Sequence, residues 1–463
     1  MAEPVDLSRP RRIHLVGIGG SGMSAIAEVL IAQGHQVSGT DMAPSPVVDR
    51  LRSLGVDATV GHDAGAVGDA EIVTPSTAVP PANPELVAAA ERGATVLRRG
   101  ELLAGIAALC RTIAAAGTHG KTTTTAMLAT TLAGAGLHPS FIVGGLIGGM
   151  ATGARWDRGE WLVVEADESD GTFLDLPVEV AVVTSIAPDH LDHWGALDAL
   201  EAAFARFLSG ARRALVCADD EPAARVGRRV GAATYGTDEG ADYRVTRLVL
   251  EAASSSFVLE HRGIALGEVR VPAPGRHNAL NAAAALAATI EGEALDADVP
   301  FPAAAAAMAA YPGVDRRFQV RGEAGGITVV DDYAHLPAKV AAAVASARGG
   351  SWRKVTCVFQ PHRYSRTEAL WRDFATVFDG VDLLVVTDVY GAGEKPRPGV
   401  TGKLVVDAVC EARPGQAVAW LPERDDVVAF LRSRLRPGDL CLTVGAGDVT
   451  TLADDLLRAG DGG

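Results

Sequence analysis

Short apolar runs that end in glycine or in a polar cluster recur along the 463-residue chain, and most are followed by helical periodicity. That alternation predicts strand, crossover helix and strand again, and so parallel sheets of the α/β class. "RIHLVGIGG" runs into "SAIAEVLIAQG" and then "HQVSGTD", and "CRTIAAAG" runs into a helix rich in threonine. "WLVVEADES" and "VAVVTSIAPDH" read as buried strands with polar residues at their carboxyl ends. "KVTCVFQPHR", "LLVVTDVYGAGE" and "DLCLTVGAGD" repeat the form. Side chains at such ends face the crevice in which α/β proteins bind ligands.

Two breaks interrupt the pattern. One lies near residues 108–112, before the strand that leads into the threonine helix. The other is "MAAYPGVDRRFQV", where an alanine-rich helix stops at Pro312-Gly313 and a new strand begins. Three α/β domains are therefore expected, over 1–110, 111–315 and 316–463. Length agrees, since single cores stop growing beyond about 250–300 residues. Residues 122–154 carry no Asp, Glu, Lys or Arg, a span long enough for a bilayer. Gly134, Gly136 and Pro139 interrupt it and its threonines are polar, so it reads as helix, loop and strand. "RPRRIHLVGIGG" imitates a twin-arginine signal, but glycines break its apolar run.

Composition narrows the partners. A net charge of −15 argues against a nucleic-acid scaffold. Small anions stay open, because local arginines and backbone N–H groups bind phosphate inside acidic proteins. The five cysteines (Cys110, Cys217, Cys357, Cys410 and Cys441) are scattered, odd in number and never spaced C-x-x-C. That fits a reducing cytoplasm, with neither a disulfide framework nor structural zinc.

Lys121 is the only lysine among the first 338 residues, and it sits in "GTHGKT" between an apolar strand and a helix. That is the context of a phosphate-binding loop: glycines let N–H groups converge on phosphate, and the helix N-terminus adds partial positive charge. Lys121 would reach the outer phosphates and Thr122 would place its hydroxyl on Mg²⁺. Ala115 stands where the first glycine of the usual spacing belongs, and a glycine-rich turn with a stray lysine is the plain alternative.

"VGIGGSGMSAIAEVL" is a second glycine loop, and Asp41 closes the next strand 24 residues after Gly17. Alone this pattern suggests NAD and an oxidoreductase; what it supports is a nucleotide with a diphosphate, the base being open. Glu165, Asp167, Glu168 and Asp170 end one buried strand, and Asp189, His190, Asp192 and His193 end another. A carboxylate and an imidazole from these ends could complete Mg²⁺ coordination begun by Thr122. Helix capping explains some of the acids, and zinc would need further ligands. His277, Asn278 and Asn281 open a helix, where asparagine either caps or reads an adenine edge. Arg363 and Arg366, three apart, could share one carboxylate or phosphate, or lie on the surface.

Taken in order, "GIGGSGMSAIAEVL", "GTHGKTTTT", "EADESDGTFL", "APDHLDHW", "PGRHNALNA", "DDYAHLP", "FQPHRYSRT" and "DVYGAGEKPRPG" resemble the Mur ligase family from end to end. The resemblance implies an N-terminal Rossmann-like UDP-binding domain, a central P-loop-type ATPase domain and a C-terminal Rossmann-like domain that binds the amino acid. It implies ATP and Mg²⁺, and a reaction joining L-alanine to the lactyl carboxylate of UDP-N-acetylmuramate through an acyl phosphate. A sister reaction attaches a recycled tripeptide instead.

The family's roles fall on particular positions. Gly117, Thr118, His119, Gly120, Lys121, Thr122 and Thr123 resemble its ATP loop, and Thr122, Glu165 and His190 its Mg²⁺ ligands. His277, Asn278 and Asn281 stand where it holds adenine, Arg317 near the γ-phosphate and Asp332 on ribose. Lys121, His190 and Arg317 are the expected catalytic groups. Gly17, Gly19, Gly20, Gly22, Asp41, Ser76 and Thr77 resemble UDP and muramoyl contacts. Tyr333, His335, His362, Arg363 and Arg366 resemble the acceptor and amino-acid site. Sites spread over three domains imply closure that keeps water from the acyl phosphate. Leu336 departs from the pattern, standing where a second histidine is expected. No lysine lies between Lys121 and Lys339, so the carbamylated lysine of several relatives has no counterpart, as expected of the alanine-adding branch. The partners implied are small molecules, with no nucleic acid or membrane, for a cytoplasmic monomer or homodimer.

Overall fold

The computed structural model describes residues 4–148, 150, 152–251, 253–294 and 300–458, with the backbone alone for Leu191 and Asp192. Compactness divides the chain into two units. The first comprises Met1–Val249, Ser255–Pro272 and Arg276–Pro312, and the second Leu250–Ser254, Ala273–Gly275 and Gly313–Gly463. The break expected near 110 falls inside the first unit, and the break at Pro312-Gly313 separates the two. Among the described residues no helix is long and apolar enough to cross a membrane.

The first unit holds two sheets. β1 (Arg12–Val16), β2 (Gln36–Asp41), β3 (Asp57–Val60), β4 (Ile72–Pro75) and β5 (Thr95–Val96) form a parallel sheet in the order β3-β2-β1-β4-β5. The order reverses at β1, and the glycine loop follows that strand directly, at the switch point where α/β sheets bind ligands.

The second sheet comprises β6 (Arg111–Ala116), β7 (Ser140–Ile142), β8 (Ala154–Arg155), β9 (Trp161–Glu165), β10 (Val180–Val183), β11 (Arg213–Cys217), β12 (Ala233–Gly236), β13 (Tyr243–Leu250), β14 (Ser255–His261) and β15 (Ile264–Val271). β6 lies between β10 and β9, parallel to both. Every residue of β10 and all of β9 but Glu165 are buried, because a parallel sheet is covered on both faces. The stretch 122–154 forms the helix Lys121–Gly134, β7 and the start of β8. Helix Arg276–Glu291 packs on that helix with an almost continuous run of buried alanines.

The second unit carries β16 (Gln319–Ala324), β17 (Ile327–Asp332), β18 (Val355–Phe359), β19 (Leu383–Val386), β20 (Val418–Trp420) and β21 (Leu440–Val444), ordered β16-β17-β21-β18-β19-β20. Side chains alternate across a strand, so the sheet feeds two cores. Cys357, Phe359, Leu384, Val386, Leu440 and Leu442 enter one, and Val329, Val358, Val385 and Cys441 the other.

Candidate active site

β6 ends at Ala116 and the chain turns through Gly117 and Gly120, at φ +125° and +83°, into helix Lys121–Gly134. Only glycine suits Gly117 on two counts. Its φ is left-handed, and a Cβ there would lie 2.4 Å from Thr184 Oγ1 and 2.9 Å from the backbone N and O of Ser185. Ser185 O accepts the Thr118 N–H at 2.9 Å and Ser185 Oγ the His119 N–H at 3.0 Å. Both expected loop residues are thus tied to the segment after β10. The first turn of the helix supplies further N–H groups that have no acceptor within their own helix.

Lys121 Nζ donates to Gly117 O at 2.7 Å and reaches Glu168 Oε1 at 2.9 Å and Oε2 at 2.8 Å. Burial disfavours the ammonium, but Glu168, Asp167 and Glu165 outweigh it and hold the lysine pKa above its ordinary value. Complete burial pushes the Glu168 carboxyl upward, with Lys121 opposing. For Asp167, burial acts upward and is outweighed by Lys121 and the Ser169 N–H, so its carboxyl lies below the usual range.

Thr122 Oγ1 donates to Glu165 Oε1 at 3.1 Å, and Glu165 Oε2 accepts the Gly144 N–H at 2.8 Å. Ligand atoms of Asp167, Glu168 and His190 lie within 4.8 Å of one another. His190 stands at φ +53°, uncommon for a residue with a side chain, and its N–H donates to Asp189 Oδ1 at 2.9 Å. Lys121 thus meets Glu168 and Thr122 meets Glu165, while His190, in the segment that follows β10, groups with Asp167 and Glu168. The Asp192 side chain lies outside the described residues.

Helix Arg276–Glu291 carries the expected adenine residues. Asn278 and Asn281 are buried and His277 is exposed. Asn281 Oδ1 accepts from Thr124 Oγ1 at 3.3 Å and would lie 2.5 Å from a Cβ on Gly120. That amide supports the phosphate loop directly. Thr123 lies on the half-buried side of the same first turn.

At the first sheet, Gly17 and Ile18 donate to Thr40 O at 2.8 and 2.9 Å, and Gly20 to Gly17 O at 3.3 Å. Gly17 turns at φ +80°, and a Cβ on it would meet Ser76 Cβ at 2.9 Å. Asp41 Oδ2 accepts the Gly19 N–H at 2.8 Å, so the expected ribose acid also braces the loop. Thr77 is exposed beside Ser76. Gly22 faces a residue that no motif indicated: Arg99 Nη1 lies 2.7 Å from where its Cβ would stand. Arg99 Nη2 in turn donates to Asp170 Oδ2 at 3.1 Å.

In the second unit both Asp332 oxygens accept backbone N–H groups, from Phe318 and Ala334, each at 2.7 Å. Arg317 lies over the Tyr333 ring, 5.5 Å from its centroid. His335, Tyr333, His362 and Tyr390 form a chain of rings with neighbouring centroids 5.3 to 5.8 Å apart. Arg366 Nη1 donates to His362 Nδ1 at 2.9 Å, which makes that nitrogen the acceptor and leaves the proton on Nε2. Arg363 does not stand beside Arg366 on one helix face. It precedes helix Tyr364–Leu370 at φ +66° and is exposed. Leu336 takes the position before helix Pro337–Arg348 without capping it.

The chain belongs to the Mur ligase family. Residues 12–111 match the Mur ligase family catalytic domain, 115–289 the Mur ligase middle domain, and 316–447 the Mur ligase glutamate ligase domain. The three matches follow the three sheets. Within the family, a UDP-N-acetylmuramate–L-alanine ligase of Anaeromyxobacter sp. (strain Fw109-5) is 44% identical over 97% of this chain and 98% of its own length. An enzyme of the same name from Geobacter sp. (strain M21) is 44% identical over 96% and 97%. The crystal structure of UDP-N-acetylmuramate-alanine ligase from Thermotoga maritima superposes with a TM-score of 0.82 at 27% identity, covering 97% of this chain and 99% of that one.

Proposed function

We propose that this protein ligates L-alanine to the lactyl carboxylate of UDP-N-acetylmuramate with ATP, giving UDP-N-acetylmuramoyl-L-alanine, ADP and phosphate for peptidoglycan synthesis in the cytoplasm. One observation carries the reading. A phosphate loop with Lys121 at its head, and Thr122 bonded to Glu165, lies within a chain 44% identical along nearly its whole length to relatives of that name.

The chemical difficulty is to bring a carboxylate anion up to a phosphate anion. A lysine held charged by its acids lowers that barrier, and the helix N-terminus behind it adds partial positive charge. The carboxylate oxygen attacks the γ-phosphorus and ADP leaves. The alanine amine then attacks the acyl carbon and phosphate leaves. Arg317 would add charge at the phosphates and Asp332 would hold ribose, as their positions in the family imply. His277, Asn278 and Asn281 would face adenine, and Gly17, Gly19, Gly20, Gly22, Asp41, Ser76 and Thr77 the UDP-sugar. Tyr333, His335, His362, Arg363 and Arg366 would receive the acceptor and L-alanine.

The Thr122 hydroxyl bonded to the Glu165 carboxylate, with the His190 imidazole grouped with the Asp167 and Glu168 carboxylates, offers oxygen-rich donors that would suit Mg²⁺. Bound there, Mg²⁺ supplies charge neutralisation on the transferring phosphoryl group.

Incubation with UDP-N-acetylmuramate, ATP and L-alanine, read by mass spectrometry, tests the proposal. The alanyl product is expected. Product formed only when L-alanine is replaced by a tripeptide would assign the sister reaction instead.

A further inference from the structure

Lys121 is paired with a fully buried carboxylate, Glu168, whose Oε1 takes one of its donors while Gly117 O takes a second. Both Glu168 oxygens lie within 2.9 Å of Nζ, and Gly117 O stands at 2.7 Å. The roles carried over from the family give Glu168 nothing to do. Its loop is pinned on every side. Trp194 Nε1 donates to the Glu168 carbonyl at 3.0 Å, and Arg99 holds Asp170 two residues on. Three residues before it, Glu165 is fixed by Thr122 and Gly144. These bonds hold the backbone that carries Glu168 beside the lysine.

An ammonium has three donors, of which Gly117 O and Glu168 Oε1 take two, so a triphosphate that engages Nζ through more than one oxygen competes with these two acceptors. We propose that Glu168 is a positioning residue for Lys121, holding Nζ over the loop before nucleotide arrives and yielding it to the triphosphate. Glu168 then opposes ground-state nucleotide binding while keeping the lysine aimed for phosphoryl transfer. This inference rests on the reading that the Gly117–Gly120 loop binds ATP.

The test uses the full chain, Mg²⁺ with AMP-PNP as probe in calorimetry, and steady-state ligation. Glu168→Gln is expected to bind AMP-PNP roughly tenfold more tightly while kcat falls roughly tenfold, a split that simple loss of structure does not produce. Glu168→Asp is expected to fall between wild type and Glu168→Gln in both quantities. Asp198→Asn, at an exposed acid on helix Leu197–Gly210, removes one negative charge without touching Lys121 or the Glu168 loop and is expected to leave affinity within about twofold. Unchanged or weaker binding by a folded Glu168→Gln protein overturns the proposal. So does a several-fold rise in the Mg²⁺ needed for half-maximal binding, which would make Glu168 a metal ligand. If Glu168→Gln does not fold, Glu168→Asp decides the matter, with unchanged affinity counting against it. Failure of the wild type to bind AMP-PNP would instead refute the nucleotide reading.

Discussion

Thr122 and Glu165 are joined across the strand ends: the hydroxyl donates to Oε1 at 3.1 Å, and Oε2 is held by the Gly144 N–H at 2.8 Å. A carboxylate fixed at both oxygens presents one defined face. Glu165→Gln keeps shape and removes charge. It is expected to lower kcat by about 10²-fold and to raise the Mg²⁺ needed for half-maximal rate, with the melting temperature little changed. Titrating activity against Mg²⁺ checks this, and a wild-type titration curve would remove Glu165 from the metal set.

Gly117→Ala meets two obstacles at once, a φ of +125° and backbone atoms of Ser185 at 2.9 Å that cannot swing aside. A destabilisation of about 1–3 kcal/mol is expected, together with lost AMP-PNP binding. Gly136→Ala provides the contrast. Its φ of +82° is also left-handed, but among the described residues nothing lies within 4 Å, so nucleotide binding should survive there. Denaturant unfolding and calorimetry on the two variants give the comparison.

Glu85 sits unexposed under the first sheet and accepts from His14 Nε2 at 2.7 Å, His62 Nδ1 at 2.8 Å and Thr40 Oγ1 at 2.8 Å. The Thr40 carbonyl receives Gly17 and Ile18, so the acid supports the glycine loop from below. Glu85→Ala is expected to cost about 3–5 kcal/mol, because it strands buried polar partners, and to raise the KM for UDP-N-acetylmuramate more than that for ATP. Burial acts upward on the carboxyl, and its bonds to His14, Thr40 and His62 outweigh it and lower its pKa. The stability it gives is therefore present above the unfolded carboxyl value and is lost as pH falls through the folded one. A KM ratio unchanged by Glu85→Ala would sever the link to the loop.

His335 and His362 are pushed down to about 3 and about 4, first by burial and then, against the Tyr333 carbonyl in the case of His335, by Arg366. Their ordinary value is near 6.5, so protons bind the unfolded chain more readily. The stability these rings contribute is whole above pH 6.5 and declines as pH falls toward 4 and 3. Ring-carbon NMR shifts of both residues should stay flat from pH 8 to about 5. A midpoint near neutrality for either would contradict the neutral pair.

Much of this was legible in the sequence. Gly17, Gly117, Gly120 and Lys121 announce themselves because strand, glycine turn and helix N-terminus are consecutive in the chain, and local geometry alone makes a phosphate cradle. Glu165 is legible from its place at the end of β9, and His190 from the polar segment that leads on from β10. Which acid of "EADESD" meets Lys121 does not, since 47 residues separate Glu168 from the lysine and only the β6-β9 register selects it. His14 and Glu85, 71 apart, meet through an outwardly plain histidine in an apolar strand. Asn281 looked like a cap or an adenine reader, and the packing of two helices turned it toward Gly120 and Thr124. Arg363 and Arg366 share a spacing but not a helix, because the chain enters that helix through a left-handed residue.

Carboxylate activation by the γ-phosphate leaves an atomic trace. With the lactyl carboxylate of UDP-N-acetylmuramate enriched in oxygen-18, each turnover with ATP and L-alanine should release phosphate carrying one labelled oxygen, and Lys121→Ala should release none. Unlabelled phosphate formed alongside alanyl product would mean that the sugar acid never attacked phosphorus.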